Sequence, residues 1–258
     1  MIGHPITAVV LGGHDTRGNN AHGPNKPNED ALELPANVAS KALLPYQGKP
    51  IASYVLDALT SCLQITQIIY VGALTPELTT KVDDHVPAGE RLLDSLRAGL
   101  QHVSDDAHSI LAIAADLPWL TPEAVDDLLT AASGFAATYP VVTKATMHAQ
   151  FPNQARTYAR LHEAEVTGGN AFVFTKAALP RILPFVERAH KHRKNPLFLA
   201  QLTGFDAVIR YLFGRLSLAG LEARASYLLD IPAHAHASPY PALAADVDKA
   251  SHLLDMQN

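Results

Sequence analysis

The sequence predicts an α/β fold: three layers built on a doubly wound, mostly parallel sheet, with a helical insertion in the C-terminal half. Three observations carry this expectation. Short apolar runs at residues 6–11, 67–71 and 109–115 lack the in–out alternation of a half-solvated strand, as expected where a sheet is covered on both faces. Amphipathic helical patterns separate them. The first run ends in Gly12-Gly13 and the third in Asp116, residue types that terminate strands at a ligand-binding edge. One domain over residues 1–258 is expected, with the insertion at about 176–226.

The elements follow in order. Ile6-Thr7-Ala8-Val9-Val10-Leu11 is the first strand, and residues 14–40, polar and rich in Asn, Gly and Pro, read as a long loop. Pro50 opens a helical pattern through Leu59, at the position where proline suits a first turn. Gln67–Val71 gives a second strand, Glu90–Val103 an amphipathic helix and Ser109–Ala115 a third strand. Thr121-Pro122-Glu123 has the marks of a helix start: a hydroxyl N-cap, a proline at the first position and an acid in the first turn. Strand–helix alternation at this spacing implies right-handed crossovers.

After residue 134 the texture changes. Ala137–Val142, Thr157–His162 and Ala171–Thr175 are strand candidates, 176–226 is almost wholly helical, and His234–Ser238 is a last strand before Asp246-Val247-Asp248 and a closing helix.

Composition excludes several classes. A net charge of −5 gives no nucleic-acid footprint. Cys62 is the single cysteine, so no internal disulfide can form, and a reducing, cytoplasmic setting is expected. No run of 18 uninterrupted apolar residues exists, so no transmembrane helix is expected.

Three constellations carry chemistry. Glycines at a strand's carboxyl end let backbone approach a phosphate, so Leu11, Gly12 and Gly13 are candidates, with Arg17 and Lys41 as cations for a triphosphate and Lys49 further on; a plain turn is the alternative. Asp116, at the tip of a buried strand, is costly unless it pairs or ligates, and Mg²⁺ favours one or two carboxylates with phosphate oxygens; a cap on the turn before Pro118 is the alternative. Asp246 and Asp248 share one side of an extended segment. Asp246 is read as a second metal ligand and Asp248 as the N-cap of the last helix.

The run Ala8–Gly13 with Thr16-Arg17, then Lys41-Ala42-Leu43-Leu44-Pro45 through Lys49-Pro50, resembles the opening of the nucleotidyltransferases with a glycosyltransferase-A-type fold, closest to the molybdenum-cofactor guanylyltransferase-like group. Ser95–Leu100 is similar to the family's helix start near base and phosphates. Asp116-Leu117-Pro118 resembles its metal-binding aspartate, and Asp246-Val247-Asp248 its C-terminal aspartate motif. The resemblance implies that Leu11, Gly12, Gly13, Lys41 and Ser95 bind the nucleotide, and that Arg17 and Lys41 act on its phosphates. It also implies that Asp116 and Asp246 hold Mg²⁺ (or Mn²⁺), and that Gly169 and Asn170, in Thr167-Gly168-Gly169-Asn170, face a phosphorylated small-molecule acceptor.

The chain departs from the family in two places. Residues 18–40 put 23 positions between Arg17 and Lys41 where the family has a few, and His14-Asp15 replace small or basic residues.

The implied activity is transfer of a nucleotidyl group from a nucleoside triphosphate with release of pyrophosphate. A nucleotide-sugar glycosyltransferase, suggested by the Asp-Val-Asp triplet, and a non-catalytic nucleotide-binding protein are the alternatives. The basic run His190–Lys194 reads as a solvated face or an anion contact. The apolar helices holding Leu197 to Phe213 read as core or a homo-oligomer interface. His234 and His236 share a strand face but lack the further ligands of a metal site.

Overall fold

In the computed structural model, residues 3–13, 38–191 and 214–248 are described. A nine-stranded sheet forms the centre. Strand β1 (Ile6–Leu11) lies between β4 (Ile65–Val71) and β6 (Ser109–Ala114), parallel to both, and β5 (Asp84–Val86) extends the parallel half. Ala8, Val9 and Val10 are each fully buried, which is why their run shows no alternation.

Beyond β6 the sheet becomes mixed. β10 (Ala171–Thr175) runs antiparallel to β6 and to β7 (Ala137–Thr143). β9 (Glu165–Gly168) is antiparallel to β7, β8 (Ala159–Arg160) is antiparallel to β9, and β11 (Ala233–Ala237) is parallel to β7. A two-rung hairpin, β2 (Pro45–Tyr46) and β3 (Lys49–Pro50), precedes the first helix.

Helices cover both faces. α1 (Ile51–Thr60) and α4 (Pro122–Ala132) pack with Ile6, Ala8, Val10 and Leu111 on one side. α3 (Leu92–Leu100) and α6 (Leu179–Lys191) flank Val9, Ile69, Val71 and Ile110 on the other. The remaining helices are α2 (Pro76–Thr79), α5 (Lys144–Gln150) and α7 (Leu218–Leu229). Thr121 caps α4 as expected, accepting the Ala124 N–H at 3.3 Å, with Pro122 in the first turn. Among the described residues no helix is long and apolar enough to cross a membrane.

Several boundaries move. α1 starts at Ile51, because Pro50 closes the hairpin with Pro45. The strand expected over 157–162 shrinks to Ala159–Arg160, since only these two meet β9. In the stretch expected to be helical, α6 and α7 are separated, and the apolar residues from Leu197 to Phe213 lie outside the described residues, as does most of the basic run at 190–194.

Candidate functional site

Register assembles the first half of the site. Leu11 is level with Val71 on one neighbour and Ala114 on the other, so Gly12-Gly13 emerge beside Ala115-Asp116 at the carboxyl edge of the parallel strands. The Ala115 N–H donates to the Leu11 carbonyl at 3.1 Å, and the Gly12 N–H to the Val71 carbonyl at 2.8 Å. That second bond refines the expectation: the Gly12 N–H is committed to the sheet.

What Gly12 provides is clearance. A Cβ there would lie 2.1 Å from the Tyr70 hydroxyl oxygen, which is buried and has no hydrogen-bond partner among the described residues. Burial pushes the Tyr70 phenol up, with the Asp116 charge adding to it. Gly13 rests on the loop before α3, where its Cβ would come within 2.6 Å of Ala88 Cβ and 3.4 Å of Ser95 Oγ. Ser95 is buried in the first turn of α3 and accepts the Gly89 N–H at 3.0 Å, fixing that loop.

The C-terminal segment supplies the second half. The Val247 N–H donates to the Asp116 carbonyl at 3.1 Å, which sets Asp246 and Asp248 against the β6 tip. Asp116 is half-buried, and its carboxyl is pushed up to about 7 by burial first and by the Asp246 charge second, with Lys41 opposing. Burial also raises Asp246, which the Arg156 guanidinium only partly offsets.

Asp248 goes the other way. Burial pushes it up, but the Lys41 ammonium, 2.6 Å away, outweighs this and holds it below the ordinary carboxylate value. Asp248 was expected to cap the last helix; the segment it would cap lies outside the described residues, and within them its carboxylate pairs with Lys41. The pairing arises because Lys41 opens a 3₁₀ turn (Lys41–Leu43) that packs beside α1 and points its chain at the edge.

Lys49 is not part of this group. It pairs with Asp57 at 2.6 Å and lies 4.0 Å over the Tyr54 ring, anchoring the hairpin to α1. Arg17, with the rest of 14–37, lies outside the described residues.

Gly169 and Asn170 form an interruption between β9 and β10 rather than a free turn. From Thr138 to Val141 β7 advances three residues, whereas from Val173 back to Gly168 its partner needs five, so two residues bulge out. A Cβ on Gly168 would strike the Tyr139 hydroxyl at 2.3 Å, and one on Gly169 would meet Pro140 Cγ at 2.9 Å, so both positions require glycine. The Asn170 N–H donates to the Leu243 carbonyl at 2.7 Å, its carbonyl accepts from Ala114 N–H at 2.9 Å, and its Nδ2 donates to Asp246 Oδ1 at 3.1 Å. Asn170 thus ties the bulge, the β6 tip and the C-terminal acids together.

One residue escaped the sequence reading. Arg156 donates from Nη1 to Asp246 Oδ1 and from Nη2 to the Gly168 carbonyl at 3.3 Å. It stands in a stretch of irregular chain with no motif around it, so no spacing signal marked it. His234 and His236 are engaged elsewhere: His236 Nε2 meets Asp127 Oδ2 at 2.6 Å, and His234 stacks on Phe135 with centroids 4.4 Å apart.

The donor set suits a hard cation. Burial and the Asp246 charge both raise the proton affinity of Asp116, and burial and the Asp248 charge that of Asp246, so this corner favours added positive charge. Among the described residues no group of three His, Cys, Asp or Glu side chains stands ready to cage a metal. Two carboxylates fit Mg²⁺, which takes its remaining ligands from phosphate and water.

Comparisons with known proteins bear on the family and the fold. The sequence profile of the MobA-like NTP transferase domain matches residues 37–204. A hypothetical transferase from Thermus thermophilus is 37% identical, with 97% of this chain and 100% of that one covered and a TM-score of 0.81. A 4-diphosphocytidyl-2C-methyl-D-erythritol synthase from Anaerococcus prevotii shares the fold at 10% identity, TM-score 0.56, with 96% and 94% covered. A CMP:2-keto-3-deoxy-manno-octonic acid synthetase solved with CTP does so at 12% identity, TM-score 0.52, with 97% and 96% covered. No curated protein matches the chain.

Proposed function

Because the chain belongs to the MobA-like NTP transferase family, we propose that it is a divalent-metal-dependent nucleotidyltransferase whose acceptor is a phosphorylated small molecule and whose second product is pyrophosphate. Nucleotidyl transfer itself follows from the family. The metal, the acceptor class and the residue roles are the proposal. The observation that carries it is the pair of half-buried carboxylates, Asp116 beside Gly12-Gly13 at the carboxyl edge of the parallel strands and Asp246 brought to it by the Val247–Asp116 main-chain bond.

In this reading the nucleotide lies over Leu11, Gly12 and Gly13, with Ser95 holding the loop beneath it. Lys41 and Arg17 neutralise the phosphates as charge moves toward the departing pyrophosphate. Asp116 and Asp246 would hold Mg²⁺ or Mn²⁺, which would supply charge neutralisation to the phosphates. The acceptor phosphate, already anionic, attacks the α-phosphorus in line, so no general base is required of the protein. The bulge at Gly169-Asn170 borders the acceptor side, with Asn170 as a hydrogen-bond donor. The lone Cys62 fits a reducing, cytoplasmic setting.

Calorimetric titration of the four nucleoside triphosphates with Mg²⁺, on wild type and Asp116→Ala, tests this. Magnesium-dependent binding of one triphosphate that disappears in the variant is expected. Binding that is indifferent to both metal and Asp116 overturns the site.

A further inference from the structure

A cation already sits on one of the two proposed metal ligands. Asp246 Oδ1 receives both the Arg156 guanidinium and the Asn170 amide, and the Arg156 and Asp246 side chains are each only 15% exposed. The second guanidinium nitrogen reaches the Gly168 carbonyl at 3.3 Å, so Arg156 bridges the acid and the bulge.

The chain around Arg156 is built for a change of partner. Residues 155–158 belong to no helix or strand. Two positions to either side, Gln154 is buried and Tyr158 partly buried. Yet the amide of one and the hydroxyl of the other have no hydrogen-bond partner among the described residues. A segment with unspent polar groups beside a site retains hydrogen-bonding capacity for a second arrangement.

We propose that Arg156 is an internal counter-cation for the metal corner, which a divalent ion must displace from Asp246 in order to bind. The inference rests on the reading of Asp116 and Asp246 as metal ligands. A hard divalent ion binds a carboxylate oxygen at about 2.1 Å, where it would stand against the guanidinium in a poorly solvated corner, so the two cations exclude one another. Metal affinity is therefore set by competition within the protein. Arg156 neutralises Asp246 by itself, and once released by metal it is left on the acceptor side next to Gly168. Arg156 is a positioning residue here, acting through Asp246.

The only tryptophan, Trp119, lies three residues beyond Asp116 and reports the site by fluorescence. The full chain is titrated with Mn²⁺ at pH 8, without nucleotide, and free Mn²⁺ is counted in parallel by electron paramagnetic resonance. Wild type, Asp116→Asn, Arg156→Gln, Arg156→Ala and Arg156→Lys are compared, with thermal melts certifying the fold of each. Loss of Mn²⁺ binding in Asp116→Asn verifies the metal corner separately. Arg156→Gln and Arg156→Ala should then bind Mn²⁺ about ten-fold more tightly than wild type, while Arg156→Lys stays close to it. If wild type binds too weakly to measure, binding regained in Arg156→Gln supports the competition equally. Unchanged or weaker binding in both uncharged variants overturns it, and binding that survives Asp116→Asn overturns the underlying site.

Discussion

Val247 donates its backbone N–H to the carbonyl of Asp116 at 3.1 Å, joining the C-terminal segment to the tip of β6 across 130 residues of chain, from 117 to 246. Being a main-chain bond, it survives changes to either carboxylate. The acids can therefore be altered one at a time without dismantling the corner, and the first predictions use this.

Asp116 makes stability depend on pH. Its carboxyl titrates near 7 in the folded protein against an ordinary 3.8, so the folded state holds the proton more tightly than the unfolded one. Its contribution is present in full below 3.8 and is lost as pH rises through about 7. The metal-free melting temperature should fall across that window and flatten in Asp116→Asn. Added Mg²⁺ should restore most at pH 8, where the carboxylates are charged. Calorimetry at several pH values decides it, and a flat wild-type profile would count against the crowded corner.

Gly12→Ala should cost about 2 kcal/mol of stability and abolish triphosphate binding, because its Cβ would lie 2.1 Å from the Tyr70 oxygen. Adding Tyr70→Phe should not rescue it, since the ring carbon Cζ remains 2.4 Å away. Tyr70→Phe alone removes a buried hydroxyl without a partner and should leave stability unchanged or raise it by about 1 kcal/mol. Denaturant titration of the three variants reads all of this.

Lys41→Met separates function from structure. The Lys41–Asp248 pair is partly solvated, with Asp248 57% exposed, so its loss should cost under about 1 kcal/mol. Triphosphate affinity should nonetheless drop by about ten-fold or more, as a phosphate cation is lost. Equal, small effects on both would remove Lys41 from the nucleotide site.

Cys62 should be inert. It is 2% exposed, its thiol is pushed up to about 12 by burial first, and it donates to the Ala58 carbonyl at 3.2 Å. Reaction with a thiol reagent should therefore proceed at the rate of unfolding, and fast labelling of the native protein would contradict the packing under α1 and α4.

The parallel core was legible because its signals are local. Val9 and Val10 declare a strand buried on both faces, Thr121-Pro122 declares a helix start, and Gly12-Gly13 and Asp116 mark strand ends where register alone brings them level. Asp116, Lys41 and Asn170 were named from sequence because they stand in or beside such marks. Arg156 was not, since it lies in irregular chain and acquires meaning only from Asp246, 90 residues later.

The same reason explains why the ion-pair partners of Asp248 and Lys49 were not legible. From sequence each offers only a neighbourhood: a helix start for one, a basic pattern for the other. Whether a charge caps a helix, faces a phosphate or locks a hairpin depends on which opposite charge the fold delivers to within about 3 Å, because electrostatic preference falls away with distance and solvent. Sequence by itself determined the elements and the edge at which chemistry gathers. The tertiary structure decided the pairing of charges, giving Asp248 to Lys41 and Asp246 to Arg156 at that edge, and Asp57 to Lys49 at the hairpin.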